Sequence, residues 1–437
     1  MKEPLMSEPD QDPSSLSAIL ALKSLAAGKP PVGCPSGFFF GRTDELDLLG
    51  DDLDVIGSGH CAIRFVVGVH GSGKSALLYE VLSRARRRRF VTMRVEFSRG
   101  RLLHGYAGEG RALLEHALLD MQTLGSGKTC AMDAVIAGFR DRCHELALQS
   151  GGDAQRVQAA QLAPLESLPL GLDFARVIAS YMDGLDYQDE AFLAKHRRWL
   201  RAQFDNNTES RAAGFPPAIA DDHFWSMVKL WGMFIRLAGR PGLVLVLDEA
   251  RLLDEVLTTP TRNANYAEIF RIYDEVAQGL VTGVGLFVAA TPAMVGSKQS
   301  KGLCSEPGLR SCLQNGECIG HPSDLIEPVA FQLPELDPDS IEEILLSVRE
   351  LIGKKCPDAR LIPESDIPAF IEESKDRLGG QQYPPPRDLI HRFLKLHNRL
   401  ASNPQLQWSD LIHGPLAVEA SVSAAAAESG DYADWSM

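Results

Sequence analysis

Gly68, Gly73, Lys74 and Ser75 stand at the spacing G-x-x-x-x-G-K-S inside AIRFVVGVHGSGKS, residues 62–75. Glycines at those places let the main chain approach a polyphosphate. The peptide groups of Gly68, Val69, His70, Gly71, Ser72, Gly73, Lys74, Ser75 and Ala76 would then surround it, at the N-terminus of a helix that adds positive potential. Lys74 brings a point charge and Ser75 a hydroxyl for Mg²⁺. A second chemical pair, Asp248 and Glu249, closes the apolar run GLVLVLDEA, residues 242–250. An aspartate at a strand end can hold Mg²⁺ through water, and a neighbouring glutamate can take the proton of a water that attacks a γ-phosphate. The two sets together predict a P-loop NTPase that hydrolyses ATP, with Glu249 as base.

That glutamate argues against GTPases and small-molecule kinases, which commonly lack it. A guanine-reading N/T-K-x-D motif is also missing, since SKD at Ser374–Asp376 has the wrong spacing. A kinase would transfer phosphate to an acceptor without releasing it free. Three further residues are candidates for completing the site. Thr291 ends the next apolar run and could orient the lytic water, or simply end a strand before Pro292. Arg310 in GLRSCL could act in trans on a neighbouring copy, and Arg387 in PPPRDLI could close from a lid; a plain surface arginine is the competing reading of each.

The elements that must position these groups follow from periodicity. Strands are expected at Ala62–Val67, Phe90–Phe97, Gly242–Ala250, Val284–Thr291 and Val329–Leu333, the first two rich in β-branched and aromatic residues and the third a continuous apolar run. ALLYEVLSRA continues the phosphate loop as a helix. FFFGRTDELDLL leads into the first strand through a short amphipathic helix. Between the second and third strands a stretch of helical patterns, about 111–240, is too large for a plain crossover and reads as a helical insertion. The expected fold class is therefore α/β: a P-loop NTPase of AAA+/ASCE type with a five-stranded parallel sheet, that insertion and a C-terminal helical lid domain. The expected boundaries are a disordered tail over 1–37, the nucleotide-binding domain over 38–335, the lid over 336–418 and a second disordered tail over 419–437.

The chain has 437 residues, 45% of them hydrophobic, enough for one large or two medium cores. No apolar leader or membrane-length run is present, and the eight cysteines are scattered, so a cytoplasmic protein with reduced thiols is expected. The net charge of −14 excludes a protein that coats DNA with its whole surface. Any nucleic-acid contact must be local. Arg84 with Arg86–Arg89 is the candidate patch, although cations in a last helical turn also complement the helix dipole.

AIRFVVGVHGSGKSALL, RLLHGYAGEGRALLEHAL, LVLVLDEARLL, TRNANYAEIFRIYDEVAQG, AATPAMV and PPPRDLIHRFLKL occur in that order. This succession resembles the ATP-binding proteins of BREX-type bacterial phage-defence clusters, which are similar to AAA+ ATPases of the initiator or STAND-like branch. The resemblance runs from about Phe38 to Leu400, with RNANY its most specific piece. It implies ATP and Mg²⁺ as ligands, an AAA+ core with a lid, and a DNA-directed defence role beside partner proteins. On matched positions it implies Gly68, Gly73, Lys74 and Ser75 around phosphate and Mg²⁺, Asp248 and Glu249 as the acid pair, and Thr291 as sensor. Relatives often carry a second arginine where Cys312 stands, which leaves Arg310 alone there. The chain after Arg387 is shorter than a winged helix requires. DNA would be met through partners or a local basic patch, and a ring, a dimer or a monomer fits the sequence equally.

Other motifs compete less well. GSGKT, residues 125–129, lacks the leading glycine, and LGGQQ, residues 378–382, stands far behind the acid pair instead of shortly before it. Cys304, Cys312, Cys318 and His321 approach a zinc spacing, with a last gap that is short. Asn263 and Asn265 are expected to cap the helix YAEIFRIYDEVAQ rather than touch nucleotide. Trp225, Trp231 and Met233 are expected in a core. Two functions remain in view: an Mg²⁺-dependent AAA+ ATPase, stimulated by partner or DNA, and a nucleotide-gated scaffold with little or no turnover.

Overall fold

In the computed structural model β1 (Ala62–Val67), β2 (Val91–Glu96), β3 (Leu243–Asp248), β4 (Val284–Ala290) and β5 (Ala330–Gln332) form one five-stranded sheet in the order β2-β3-β4-β1-β5. Every pairing is parallel. The structure describes residues 15–31, 40–106, 108–125, 131–256, 258–296, 302–314, 328–356, 359, 361–377, 382–403 and 405–413. They divide into two compact units, one covering Phe39–Glu335 and the other joining the chain up to Phe38 with that from Leu336.

β1, β3 and β4 are buried at every position because helices cover both faces of the sheet. Side-chain alternation assigns the faces. Leu243, Leu245 and Leu247 point into the layer that holds the insertion helices. Val244 and Val246 point into the layer made by the helices Thr43–Gly57 and Lys74–Arg87. A buried ion pair fastens the first of those helices to β1: Arg64 donates from Nε to Asp52 Oδ2 at 2.9 Å and from Nη2 to Oδ1 at 2.5 Å.

The register pairs Val67 with Ala290, Leu247 with Val288, and Glu96 with Asp248. The C-terminal ends of β1, β3 and β4 therefore leave the sheet on one edge. β4 separates β1 from β3, so the loop after β1 and the acid pair after β3 are two strand spacings apart, about 10 Å. This is the α/β P-loop arrangement of ASCE type expected from the sequence. β1 has its expected bounds; the other strands are shorter than their expected runs by a residue at one or both ends, and β3 by two at its C-terminal end, where Glu249 and Ala250 leave the strand.

Between β2 and β3 lie the helices Glu109–Leu119, Met132–Ser150, Ala154–Leu162, Gly171–Tyr187, Glu190–Leu200, Asn207–Ala212 and Phe224–Leu237. All of these except Asn207–Ala212 contribute to one core with the sheet. Phe139, Phe174, Trp231 and Phe234 pack ring on ring, with centroids 5.0–6.0 Å apart. Trp225 and Trp231 are fully buried, as expected. Gly232 lets the last helix lie close on the sheet, since a Cβ there would stand 2.3 Å from Val284 Cγ2.

The second unit corrects the expected N-terminal tail. Ser15–Ala26 is a helix that buries Ala18, Ala21, Leu22 and Leu25 against the helices Pro338–Lys355 and Pro386–Ser402. Those four positions are spaced i, i+3, i+4, i+7, the helical stripe that the acidic, proline-bearing composition around it obscures. Residues 1–14 and the expected tail over 419–437 lie outside the described residues.

His397 is buried in this unit, where Nδ1–H donates to the Phe393 carbonyl at 3.0 Å and Nε2 accepts the Ile362 N–H at 3.4 Å. Burial pushes its pKa down to about 4. The unfolded chain takes up that proton near pH 6.5. The stabilisation is therefore complete above about pH 6.5 and is lost as pH falls toward 4, by about 3 kcal/mol in all. Melting temperature of the full chain measured across this range should fall with acid, and His397→Met should flatten that part of the profile. An equal slope in both proteins would contradict the assignment.

Candidate functional site

The residues after β1 turn because two of them adopt left-handed backbone: Gly71 at φ 82° and Gly73 at φ 97°. Gly73 is the N-cap of the helix Lys74–Arg87, and the space where its side chain would go is open. A Cβ on Gly68 would lie 2.5 Å from Ser72 Oγ, so any larger residue there would have to displace that hydroxyl. Ser72 Oγ is buried and has no hydrogen-bond partner. A helix start with an open cradle and an orphaned hydroxyl fits a phosphate group. Lys74 Nζ spans the loop and donates to the carbonyls of Gly68 at 2.7 Å and Val69 at 2.8 Å. Burial lowers its pKa, while the charges of Asp248 and Glu249 act to raise it. Both carboxylates thus reach the ammonium electrostatically, across β4.

Asp248 is almost wholly buried, and each of its oxygens is engaged. Oδ1 accepts the Glu249 N–H at 2.9 Å, and Oδ2 accepts Arg94 Nη2 at 2.7 Å. A carboxylate oxygen has two acceptor sites, so Asp248 retains capacity for water on a metal ion. Arg94 went unnoticed in the sequence. It projects from β2, where Glu96 pairs in register with Asp248, and it also binds Glu96 at 2.7 Å and the Tyr79 hydroxyl at 3.1 Å. Its guanidinium carbon lies 4.6 Å from the centre of the Tyr79 ring, on the phosphate-loop helix. No motif marks this residue; only strand register brings it to the acid pair. Removing it would strand a buried carboxylate, at a cost of about 3 kcal/mol. Urea denaturation should show that loss for Arg94→Met. Arg94→Lys, which has a charge but no fork, should recover only part of it.

Glu249 occupies left-handed backbone at φ 58° and ψ 32°, ahead of the short helix Ala250–Leu253. Its carboxylate accepts Arg251 Nε at 2.8 Å, and Arg251 also binds Glu255 at 2.7 Å. Arg42 steadies the loop from the other side. It reaches Glu45 at 3.0 Å, the Pro334 carbonyl at 2.9 Å and the Ser72 carbonyl at 3.4 Å, joining the loop to the segment after β5.

The family model for the BREX system ATP-binding protein BrxC/D matches residues 15–415. The chain belongs to this ATP-binding family. No curated protein matches it. Among solved structures, the Aeropyrum pernix ORC2 protein, determined as ADPNP–ADP complexes, is 14% identical, with a TM-score of 0.40 over 85% of this chain. The match spans 66% of that protein's own length.

The remaining expected site residues of this BrxC/D-family chain are dispersed. Thr291 directly follows β4 beside the loop, where Gly68 N–H donates to the Ala290 carbonyl at 3.2 Å. Its hydroxyl accepts the Met294 N–H at 3.3 Å and so opens the helix Pro292–Gly296. Arg310 lies exposed on the helix Pro307–Gln314, between β4 and β5. Arg387 belongs to the second unit, where its guanidinium lies against Gly28.

RNANY corrects another expectation. The helix starts earlier, at Thr259, and runs to Ala277, so Arg262–Tyr266 lie within it and do not cap it. Asn265 is fully buried; it accepts the His104 N–H at 3.0 Å and donates to the Thr261 carbonyl at 2.9 Å. Tyr266 binds Asp254. The segment clamps the loop after β2 to the one after β3. Ser126–Thr129 of GSGKT, residues 378–381 of LGGQQ, Cys318 and His321 lie outside the described residues, as do the side chains of Cys304 and Cys312. Among the described residues no His/Cys/Asp/Glu group could hold a metal ion by itself.

Proposed function

We propose that this chain is an Mg²⁺-dependent ATPase of AAA+ type that works in the cytoplasm beside other proteins of a BREX-type defence system. The observation that carries the reading is the shared sheet edge, which brings Lys74 within electrostatic reach of both Asp248 and Glu249. Gly68–Ala76 would bind the triphosphate, with Lys74 exchanging the Gly68 and Val69 carbonyls for phosphate oxygens. Ser75 and Asp248 would hold Mg²⁺, which when bound neutralises phosphate charge. Glu249 would leave Arg251 and accept a proton from the attacking water. Thr291 would orient that water through the proton its hydroxyl retains. Arg310 and Arg387 are the candidates for an arginine supplied by a neighbouring copy and by the lid. Among the described residues no helix is long and apolar enough to cross a membrane, which supports action away from one.

The pairing of Glu249 with Arg251, and of Asp248 with Arg94, supports a second reading. In it the chain is a nucleotide-gated scaffold that holds ATP and turns it over slowly or not at all. Free phosphate released from ATP, measured over a series of protein concentrations with and without DNA, separates the two. Release per molecule that rises with concentration supports an ATPase completed by a second copy. ATP binding without release under every condition would leave the scaffold.

A further inference from the structure

The basic run at the end of the phosphate-loop helix is compensated only in part. Glu80 accepts Arg84 Nε at 3.1 Å and lies 3.8 Å from Arg87 Nη1, Asp54 pairs with Arg88, and Arg86 donates to Thr92 Oγ1 at 3.3 Å. Arg89 forms no ion pair among the described residues, and it is exposed. It also holds an unfavourable backbone. Its φ of 68° closes the helix at a position where glycine is the usual residue, so a long cation is kept there against a steric cost.

Two more arginines adjoin it. β2 and β3 are parallel neighbours, with Val91 opposite Leu243, so the turns that lead into them lie side by side. Arg89 is in the first turn and Arg240 in the second. Burial and the Arg89 charge both lower the Arg240 pKa, and no carboxylate acts to raise it. Arg142, exposed on Met132–Ser150, extends its guanidinium over Gly239, where a Cβ would lie 2.4 Å from its Nη1. Arg142 and Arg240 likewise meet no carboxylate among the described residues. Three uncompensated guanidinium groups on a chain of net charge −14 form a local positive site. It stands at the N-terminal ends of the strands, about 20 Å of strand length from the phosphate loop.

We propose that Arg89, Arg142 and Arg240 form a sequence-independent binding site for the phosphate backbone of duplex DNA, at the end of the sheet opposite the nucleotide loop. The guanidinium fork matches a phosphate bidentately and is weakly hydrated, which favours arginine over lysine for that contact. The net negative charge of the chain keeps the contact weak, and its dependence on phosphate charge makes it salt-sensitive. The site is independent of the ATPase reading.

The test is fluorescence anisotropy of a labelled duplex of mixed sequence with the full chain. Neutralising three phosphates predicts that log K falls with log salt at a slope of about −2.7 between about 50 and 200 mM. Arg89→Glu with Arg240→Glu should weaken binding at least about tenfold and reduce the slope to about −1. ATP binding in that variant should stay as in the wild type. Arg156→Glu with Arg211→Glu, an equal change of charge on the insertion, should bind DNA nearly as the wild type does. Arg89→Gly gives a second measurement, because relief of the backbone should raise the melting temperature while DNA affinity falls. Absence of wild-type binding at the lowest salt, or equal loss in both double variants, would overturn the proposal. So would competition by polyglutamate as strong as that of unlabelled DNA, which would identify an acidic protein as the partner.

Discussion

Lys74→Ala should lower ATP affinity by about a hundredfold or more while leaving the fold in place. The ammonium is the one side-chain cation the loop carries, and it already spans the loop, at 2.7 Å from the Gly68 carbonyl and 2.8 Å from that of Val69. A bound triphosphate offers it stronger acceptors, and charge-assisted hydrogen bonds contribute about 1.5–3 kcal/mol each. Loss of about 3 kcal/mol corresponds to roughly a hundredfold in affinity. Gly71, Gly73 and the Arg42 contact to Ser72 hold the turn without the lysine side chain, so the loop should persist when the two lysine–carbonyl bonds are lost. Titration with a fluorescent ATP analogue measures the affinity, and an unchanged melting temperature excludes unfolding as the cause. Equal affinity in Lys74→Ala and the wild type would remove Gly68–Ala76 as the nucleotide site.

Glu249→Gln should give the opposite separation: ATP retained and turnover reduced by about a hundred- to ten-thousandfold, the contribution of a positioned general base. Glutamine keeps the size of the side chain and can still accept from Arg251, so the left-handed turn at Glu249 and the short helix after it should persist. What disappears is the capacity to take a proton. Phosphate release under saturating ATP measures it. Wild-type turnover in the variant would assign the base elsewhere. No turnover in either protein, with ATP bound by both, would favour the scaffold.

The sequence carried the parts of the site that are local in the chain. A glycine loop between a strand and a helix needs its residues at fixed offsets, so Gly68, Gly73, Lys74 and Ser75 can be read without a structure. The strands could be read for a related reason: parallel strands covered on both faces are continuous apolar runs, and β1 and β4 were legible nearly to the residue. The helix Ser15–Ala26 was legible in principle. Its stripe at Ala18, Ala21, Leu22 and Leu25 is regular, but what it packs on lies more than three hundred residues away, in Pro338–Lys355 and Pro386–Ser402.

Register and packing between distant segments decided the rest. Arg94 reaches Asp248 because β2 and β3 align Glu96 with Asp248, and nothing in RVEF announces that. Asn265 clamps His104 across 161 residues, so a helix interior takes the place of the expected cap. In the run Arg84–Arg89 the charges look alike in sequence, yet Glu80 and Asp54 pair with Arg84, Arg87 and Arg88, Arg86 turns to the Thr92 hydroxyl, and Arg89 stands with Arg240. The chain's own order determined that a phosphate loop and an acid pair exist. The insertion of β4 between β1 and β3 set the distance between them. Backbone chemistry acts over a few residues and is written in spacing, whereas the neighbours of a charge are chosen by the fold.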